Sequence, residues 1–181
     1  MIRNHKPLRL SWILAAILQC AALPLHAGES CSDFKWDVSR ERALFHATAT
    51  AINGSTETKT AVRVEWGHLY EISLLPQKDL KLAAQTGKPS HDVDHVYGGL
   101  VLIRVEQAGR YRIALDTSAW VDVIVDGKIL DSVDHTGSHD CNAPHKVVVF
   151  DLPSHGDLIL QFTDAPQARL RAVLLPDANH Y

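Results

Sequence analysis

From residue 61 onward apolar and polar side chains alternate along the chain, the period of two that a strand buried on one face imposes. Val62, Val64 and Trp66 alternate with Arg63 and Glu65, and Tyr70, Ile72 and Leu74 alternate with Glu71 and Ser73. A turn over Pro76 to Asp79 leads into a third predicted strand, where Leu80, Leu82 and Ala84 alternate with Lys81 and Ala83. Leu100 to Val105 is a continuous apolar run, which suits a central strand. Ala108-Gly109 turns the chain into Tyr111, Ile113 and Leu115, which alternate with Arg110, Arg112 and Ala114, and Trp120 to Val125 follows. Asp126-Gly127 predicts a tight hairpin, because both central residues of that turn take positive φ, and Ile129 starts the returning strand. Val147 to Leu152, Leu158 to Phe162 and Leu170 to Leu175 complete the series, punctuated by Pro153, Gly156 and Pro166.

Before residue 61 the pattern differs. Asp37 or Ser39 is placed to cap a short helix over about Val38 to His46, and Asn53 to Thr56 reads as a turn or exposed loop. About nine or ten short strands with one helix imply an all-β fold, a two-sheet antiparallel β-sandwich of jelly-roll type with a short N-terminal helix. No helical periods alternate with the strands, which disfavours a parallel α/β sheet, and no internal repeat is visible.

Residues 1–27 read as a signal peptide: Arg3, Lys6 and Arg9 precede an uncharged apolar run from Leu10 to Leu23, and Pro24 leads to a small-residue exit ending at Ala27. The run is too short for a transmembrane span, which needs roughly 20 apolar residues. A lipoprotein anchored through Cys20 is the alternative, disfavoured by the bulk of Gln19 where such signals carry a small residue. Residues 28–181 form a single domain, and the expected location is periplasmic or secreted. Cys31 and Cys141 then remain as one even pair in a compartment where a disulfide bond persists. The signal carries three bases and no acid, so the remainder is more acidic than the whole chain at −3, which argues against nucleic acid as a partner.

Two polar loops carry the candidate chemistry. Gly87 to Gly99 holds His91, Asp92, Asp94 and His95, and Asp134 to His145 holds His135, His139, Asp140 and the terminal His145. Imidazoles and carboxylates are the ligands of a divalent transition metal, so His91, His95, His135, His139 and Asp140 are the candidate metal residues, provided the loops converge at one rim. There is no HExxH motif. Ser138-His139-Asp140 spells the residues of a hydrolase triad, but three consecutive side chains point apart and the arrangement is not a catalytic one. Clustered imidazoles also imply a surface that titrates near neutral pH. Among the aromatic residues Trp66, Tyr70 and Tyr111 fall in phase with the core, whereas Trp120 and Tyr97 lie at strand or loop edges, where an exposed ring suits ligand binding. Asn53-Gly54-Ser55 matches a glycosylation sequon and is read as a loop.

The stretch Ala108 to Leu115 followed by Trp120 to Lys128, a glycine-led strand before one that ends in Asp-Gly, resembles a hairpin of carbohydrate-binding β-sandwiches, PA14-like domains among them. Leu158 to Phe162 is similar to the strand that follows there. The resemblance covers the second half of residues 28–181 and implies a glycan ligand, without the paired acidic residues that hold calcium in such families. The expected function is an exported, non-catalytic binding or accessory domain with a glycan or an envelope protein as partner. The alternative is a metal-dependent enzyme or metal-handling protein built on the two histidine loops. A third reading is an envelope protein that docks its partner along exposed strand edges.

Overall fold

The computed structural model describes Met1, Cys31 and residues 33–88, 92–141, 143–154 and 156–177; the signal segment with Cys20, and His91, lie outside the described residues. Alternation along the chain produces two stacked sheets. Across the first, sheet A, run β1 (Thr50–Asn53), β3 (Leu69–Ser73), β12 (Arg169–Pro176), β6 (Gly109–Leu115), β10 (Lys146–Leu152) and β9 (Asp134–Gly137). Across the second, sheet B, run β2 (Arg63–Val64), β5 (Tyr97–Val105), β11 (Gly156–Ala165), β7 (Trp120–Val125) and β8 (Lys128–Leu130), with β4 (Leu75–Pro76) paired to the start of β5. The all-β architecture expected from the periodicity is present, with the short helix and the disulfide. Pairing is antiparallel except at β1 with β3 and β2 with β5, which run parallel.

The inner faces of both sheets interlock in one core. Val101, Ile103 and Val105 of β5 and Leu158, Leu160 and Phe162 of β11 meet Ile113 and Phe150 from sheet A. Phe150 and Phe162 are almost wholly buried. Each such side chain contributes about 2 kcal/mol through the area it removes from water.

Helix α1 (Ser39–Phe45) covers the outer face of sheet A. Val38 and Phe45 pack against Ala114, Val147 and Val173, and Arg112 of β6 fastens the segment from beneath. Its Nη1 lies 3.2 Å from Glu41 Oε1 and its Nη2 lies 3.0 Å from Asp177 Oδ1, with the Trp36 ring 5.5 Å from the guanidinium carbon. The Cys31–Cys141 bond, with Cα atoms 5.2 Å apart, ties the same segment to the loop after β9. It joins residues 110 apart in sequence. A link of that span removes roughly 4 to 5 kcal/mol of chain entropy from the unfolded state in the loop-closure account.

Three local expectations are corrected. Leu80 to Ala84 forms no strand: this segment lies across the outer face of sheet B, where buried Gln161 of β11 accepts from the Ala83 N–H at 2.8 Å and donates to the Ala84 carbonyl at 3.0 Å. A side-chain amide thus satisfies backbone groups that a neighbouring strand would otherwise pair. Asn53 ends a strand, β1, instead of opening a loop, and Asp134 to Gly137, expected as loop, is the edge strand β9. The polar residues of β9 are held there by their ladder with Val147 and Val148, not by any apolar alternation of their own.

Candidate functional site

Among the described residues β8 pairs with Val123, Ile124 and Val125 of β7, and the Trp120 to Asp122 stretch runs past it with no described strand in the ladder on that edge. On the facing sheet β9 is the edge, and residues 131–133 carry the chain from β8 in sheet B to β9 in sheet A. The two sheets therefore part along this side and leave a cleft of about 310 Å³. Val121, Val148 and Phe150 give it apolar walls, Asp131 and Ser132 line it where the chain changes sheets, and Trp120, Asp122 and Lys146 line it beside Gly87. A concave, largely apolar recess with a few convergent polar groups is the usual form of a small-ligand site.

Each polar group is there for a structural reason. Trp120 and Asp122 alternate with the core residues Val121 and Val123, so they share the outer side of β7. Asp122 is 3% exposed, and its Oδ1 accepts from Trp120 Nε1 at 2.8 Å, which fixes the indole. Its Oδ2 accepts a long bond, 3.4 Å, from the Gly87 N–H at the end of the segment that Gln161 holds. Lys146 shares the inward row of β10 with Val148, Phe150 and Leu152. Its ammonium lies 5.8 Å from the Trp120 ring centroid, and that of Lys88 lies 6.0 Å away. Burial, assisted by the charge on Lys88, pushes the Lys146 pKa down to about 8.

Of the two rings expected to bind ligand, Trp120 lines this cleft. Tyr97 does not; it starts β5 opposite Ala165 and packs against the core. Of the candidate metal residues, His135 faces Val148 across the ladder and lines the same cleft. His139 and His145 meet edge to face with centroids 5.9 Å apart, in a separate recess beside Asp116 and Arg169. Burial first and His139 second hold the His145 pKa below the ordinary imidazole range. His95 Nδ1 lies 2.7 Å from Asp92 Oδ1, a hydrogen bond that raises its pKa, and both groups are exposed. Asp140 is exposed in the turn before Cys141.

Strands β5, β7 and β10 all begin at one end of the sandwich. Among the described residues, no three His, Cys, Asp or Glu side chains come together as a metal-binding group. Lys88, Asp122 and Lys146 were not among the residues singled out from the sequence. Lys146 carries a legible signal, a charge in phase with the apolar row of its own strand.

A second recess, about 370 Å³, lies toward the opposite end, where Trp66 and Tyr111 stack with centroids 4.4 Å apart. Its Trp66 Nε1 donates to the Arg104 carbonyl at 2.7 Å, and Arg63 and Arg104 both pair with Asp157. Both guanidinium groups there are thus already paired. Among the described residues no helix is long and apolar enough to cross a membrane. In comparison with known proteins, the chain matches no family model and no curated sequence.

Proposed function

We propose that the chain is an exported, non-catalytic binding domain that takes a saccharide into the cleft at Trp120. The observation that carries this reading is the pairing of buried Asp122 with Trp120 Nε1, which presents a fixed aromatic ring beside the apolar wall of Val148 and Phe150. Fixed aromatic area next to a few polar groups is what a sugar requires, since its C–H face is apolar and its edge is lined with hydroxyls. The Ala108 to Lys128 stretch resembles carbohydrate-binding sandwiches in sequence, although β6 and β7 lie in different sheets and do not pair as a hairpin. The Cys31–Cys141 bond and the signal-like segment of residues 1–27, with its apolar run from Leu10 to Leu23, support a periplasmic or secreted location.

Thermal unfolding of residues 28–181 against a panel of neutral and acidic oligosaccharides tests the reading. A ligand-dependent rise in Tm that disappears in Trp120→Ala is expected, because binding to the folded state alone stabilises it. A panel without any shift, or a shift retained in Trp120→Ala, contradicts it.

A further inference from the structure

If a saccharide occupies the Trp120 cleft, as proposed above, the charges at its mouth say which kind. Lys146 enters the gap between the sheets on the row continued by Val148 and Phe150, and Lys88 reaches the same indole from the segment across sheet B. Among the described residues neither ammonium forms an ion pair; the polar partner of Lys146 is the Ser118 carbonyl, at 3.5 Å. Asp122 of β7 keeps its negative charge while its oxygens accept from Trp120 Nε1 and the Gly87 N–H, and among the described residues it forms no ion pair with either ammonium. Two like charges held at one indole beside an apolar wall cost free energy on their own, and a bound anion relieves that cost.

The rest of the lining narrows the anion. Phosphate sites draw on lysine as well as on arginine forks, backbone N–H nests and helix N-termini, and of these the described lining holds Lys146 with neither an arginine nor a helix end. Where the chain passes from β8 to β9, Asp131 and Ser132 offer acceptors suited to hydroxyl donors. The cleft thus has the Lys146 ammonium and the Asp122 carboxylate by Trp120, the Lys88 ammonium reaching the same ring from outside the lining, apolar Val148 and Phe150, and the acceptors of Asp131 and Ser132 at the corner.

We infer that the cleft recognises an acidic sugar: a uronate whose carboxylate sits between Lys88 and Lys146, whose ring lies along Val148 and Phe150, and whose hydroxyls reach Asp131 and Ser132. This inference rests on the saccharide reading and adds the carboxylate to it. Lys146 is faced by Lys88 and His145 and shares the cleft with Asp122, Asp131 and His135; because its pKa is about 8 in the unliganded protein, affinity for the acid falls as pH rises through that value. Affinity for an uncharged analogue does not.

The test is calorimetric titration of residues 28–181 with galacturonate trimer, its fully methyl-esterified counterpart and benzoate, in wild type, Lys88→Met and Lys146→Met. The ester keeps the sugar and removes the charge. The acid is expected to bind about tenfold tighter than the ester or better, and each lysine variant to bring the acid down to the level of the ester while leaving the ester unchanged. Melting curves of both variants verify that they remain folded. Equal affinity for acid and ester in wild type overturns the carboxylate inference and leaves the saccharide reading standing. Binding of benzoate without either sugar overturns the saccharide reading and with it the uronate. Binding of none of the three, under conditions where wild type is folded, overturns both.

Discussion

The Lys146 ammonium stands 5.8 Å from the centroid of the Trp120 ring, although the two residues belong to different sheets. It gets there because Lys146 occupies the position on β10 where the apolar inward row of Val148, Phe150 and Leu152 would otherwise continue. A lysine in a core row weakens the fold, and here it equips the cleft with charge.

That trade has a measurable sign. The folded-state pKa of Lys146, about 8, lies below the ordinary lysine value of 10.5, so the charged form is disfavoured by folding. Below about pH 8 both folded and unfolded states carry the charge and the full penalty applies; between about 8 and 10.5 the folded state sheds its proton first and the penalty fades. Lys146→Met is therefore expected to raise Tm at pH 7, with the gain shrinking toward pH 10, in parallel with loss of anion binding. A lowered Tm at pH 7 would mean that the ammonium stabilises the fold.

The segment that brings Gly87 and Lys88 to the cleft depends on Gln161, which is 0% exposed and holds the Ala83 N–H and Ala84 carbonyl. Gln161→Leu leaves both of those backbone groups without that partner, at a cost of about 1 to 3 kcal/mol for a buried polar group left unsatisfied. Amide exchange should accelerate at Ala83 and Ala84 before it does so at β11. Unchanged exchange there would show that the segment is held by something other than this side chain.

Gly98 is tested by its neighbours. A Cβ at this position would stand 2.5 Å from the Phe162 carbonyl oxygen and 3.3 Å from Leu80 Cδ1, one of them fixed backbone. Gly98→Ala should lower stability by about 1 to 3 kcal/mol in urea unfolding, as overpacking does. Gly127, at φ 74° in the hairpin with open space around it, should instead resist substitution through backbone strain alone.

Beneath α1, Glu41 is 1% exposed and Arg112 is 7% exposed, and Arg112 also donates to the Asp37 carbonyl at 3.0 Å. Removing Glu41 takes away one partner of the buried guanidinium, which keeps Asp177 and the Asp37 carbonyl, so the cost should fall below the roughly 3 to 5 kcal/mol of a fully stranded buried charge. Glu41→Ala should show that loss in chemical denaturation together with a change in Trp36 fluorescence, since the guanidinium lies over that ring. Glu41→Gln, which keeps an acceptor for Arg112 Nη1, should lose less. Equal losses in both variants would point to helix packing and not to the pair.

Much of the sandwich was legible because a strand with one buried face must alternate, as Tyr70 to Leu74 does; Tyr111 to Leu115 and Val147 to Phe150 are buried on both faces, and a continuous apolar run marks the latter. Leu80 to Ala84 shows the limit of that signal, since Leu80, Leu82 and Ala84 alternate with Lys81 and Ala83 in sequence, yet Leu82, Ala83 and Ala84 are all half-buried and the Gln161 side chain takes the place of a neighbouring strand. β9 was hidden for the opposite reason: Asp134-His135-Thr136-Gly137 has no apolar row, and its strand geometry comes from β10. At the site, Trp120 and His135 were named from the sequence; Lys146 was not, although it is in phase with the apolar row of β10. Nor was Lys88, because only the fold of residues 77–88 over sheet B carries it to the indole.

The most direct test of the account follows the indole N–H signals of Trp36, Trp66 and Trp120 by nuclear magnetic resonance while the oligosaccharide panel is titrated into residues 28–181. The account predicts that the Trp120 signal moves, since its N–H is bound to Asp122 at the cleft, while Trp36 under α1 and Trp66 in the opposite recess stay in place. A shift at Trp66 with Trp120 unmoved, or no shift at any of the three, would contradict it.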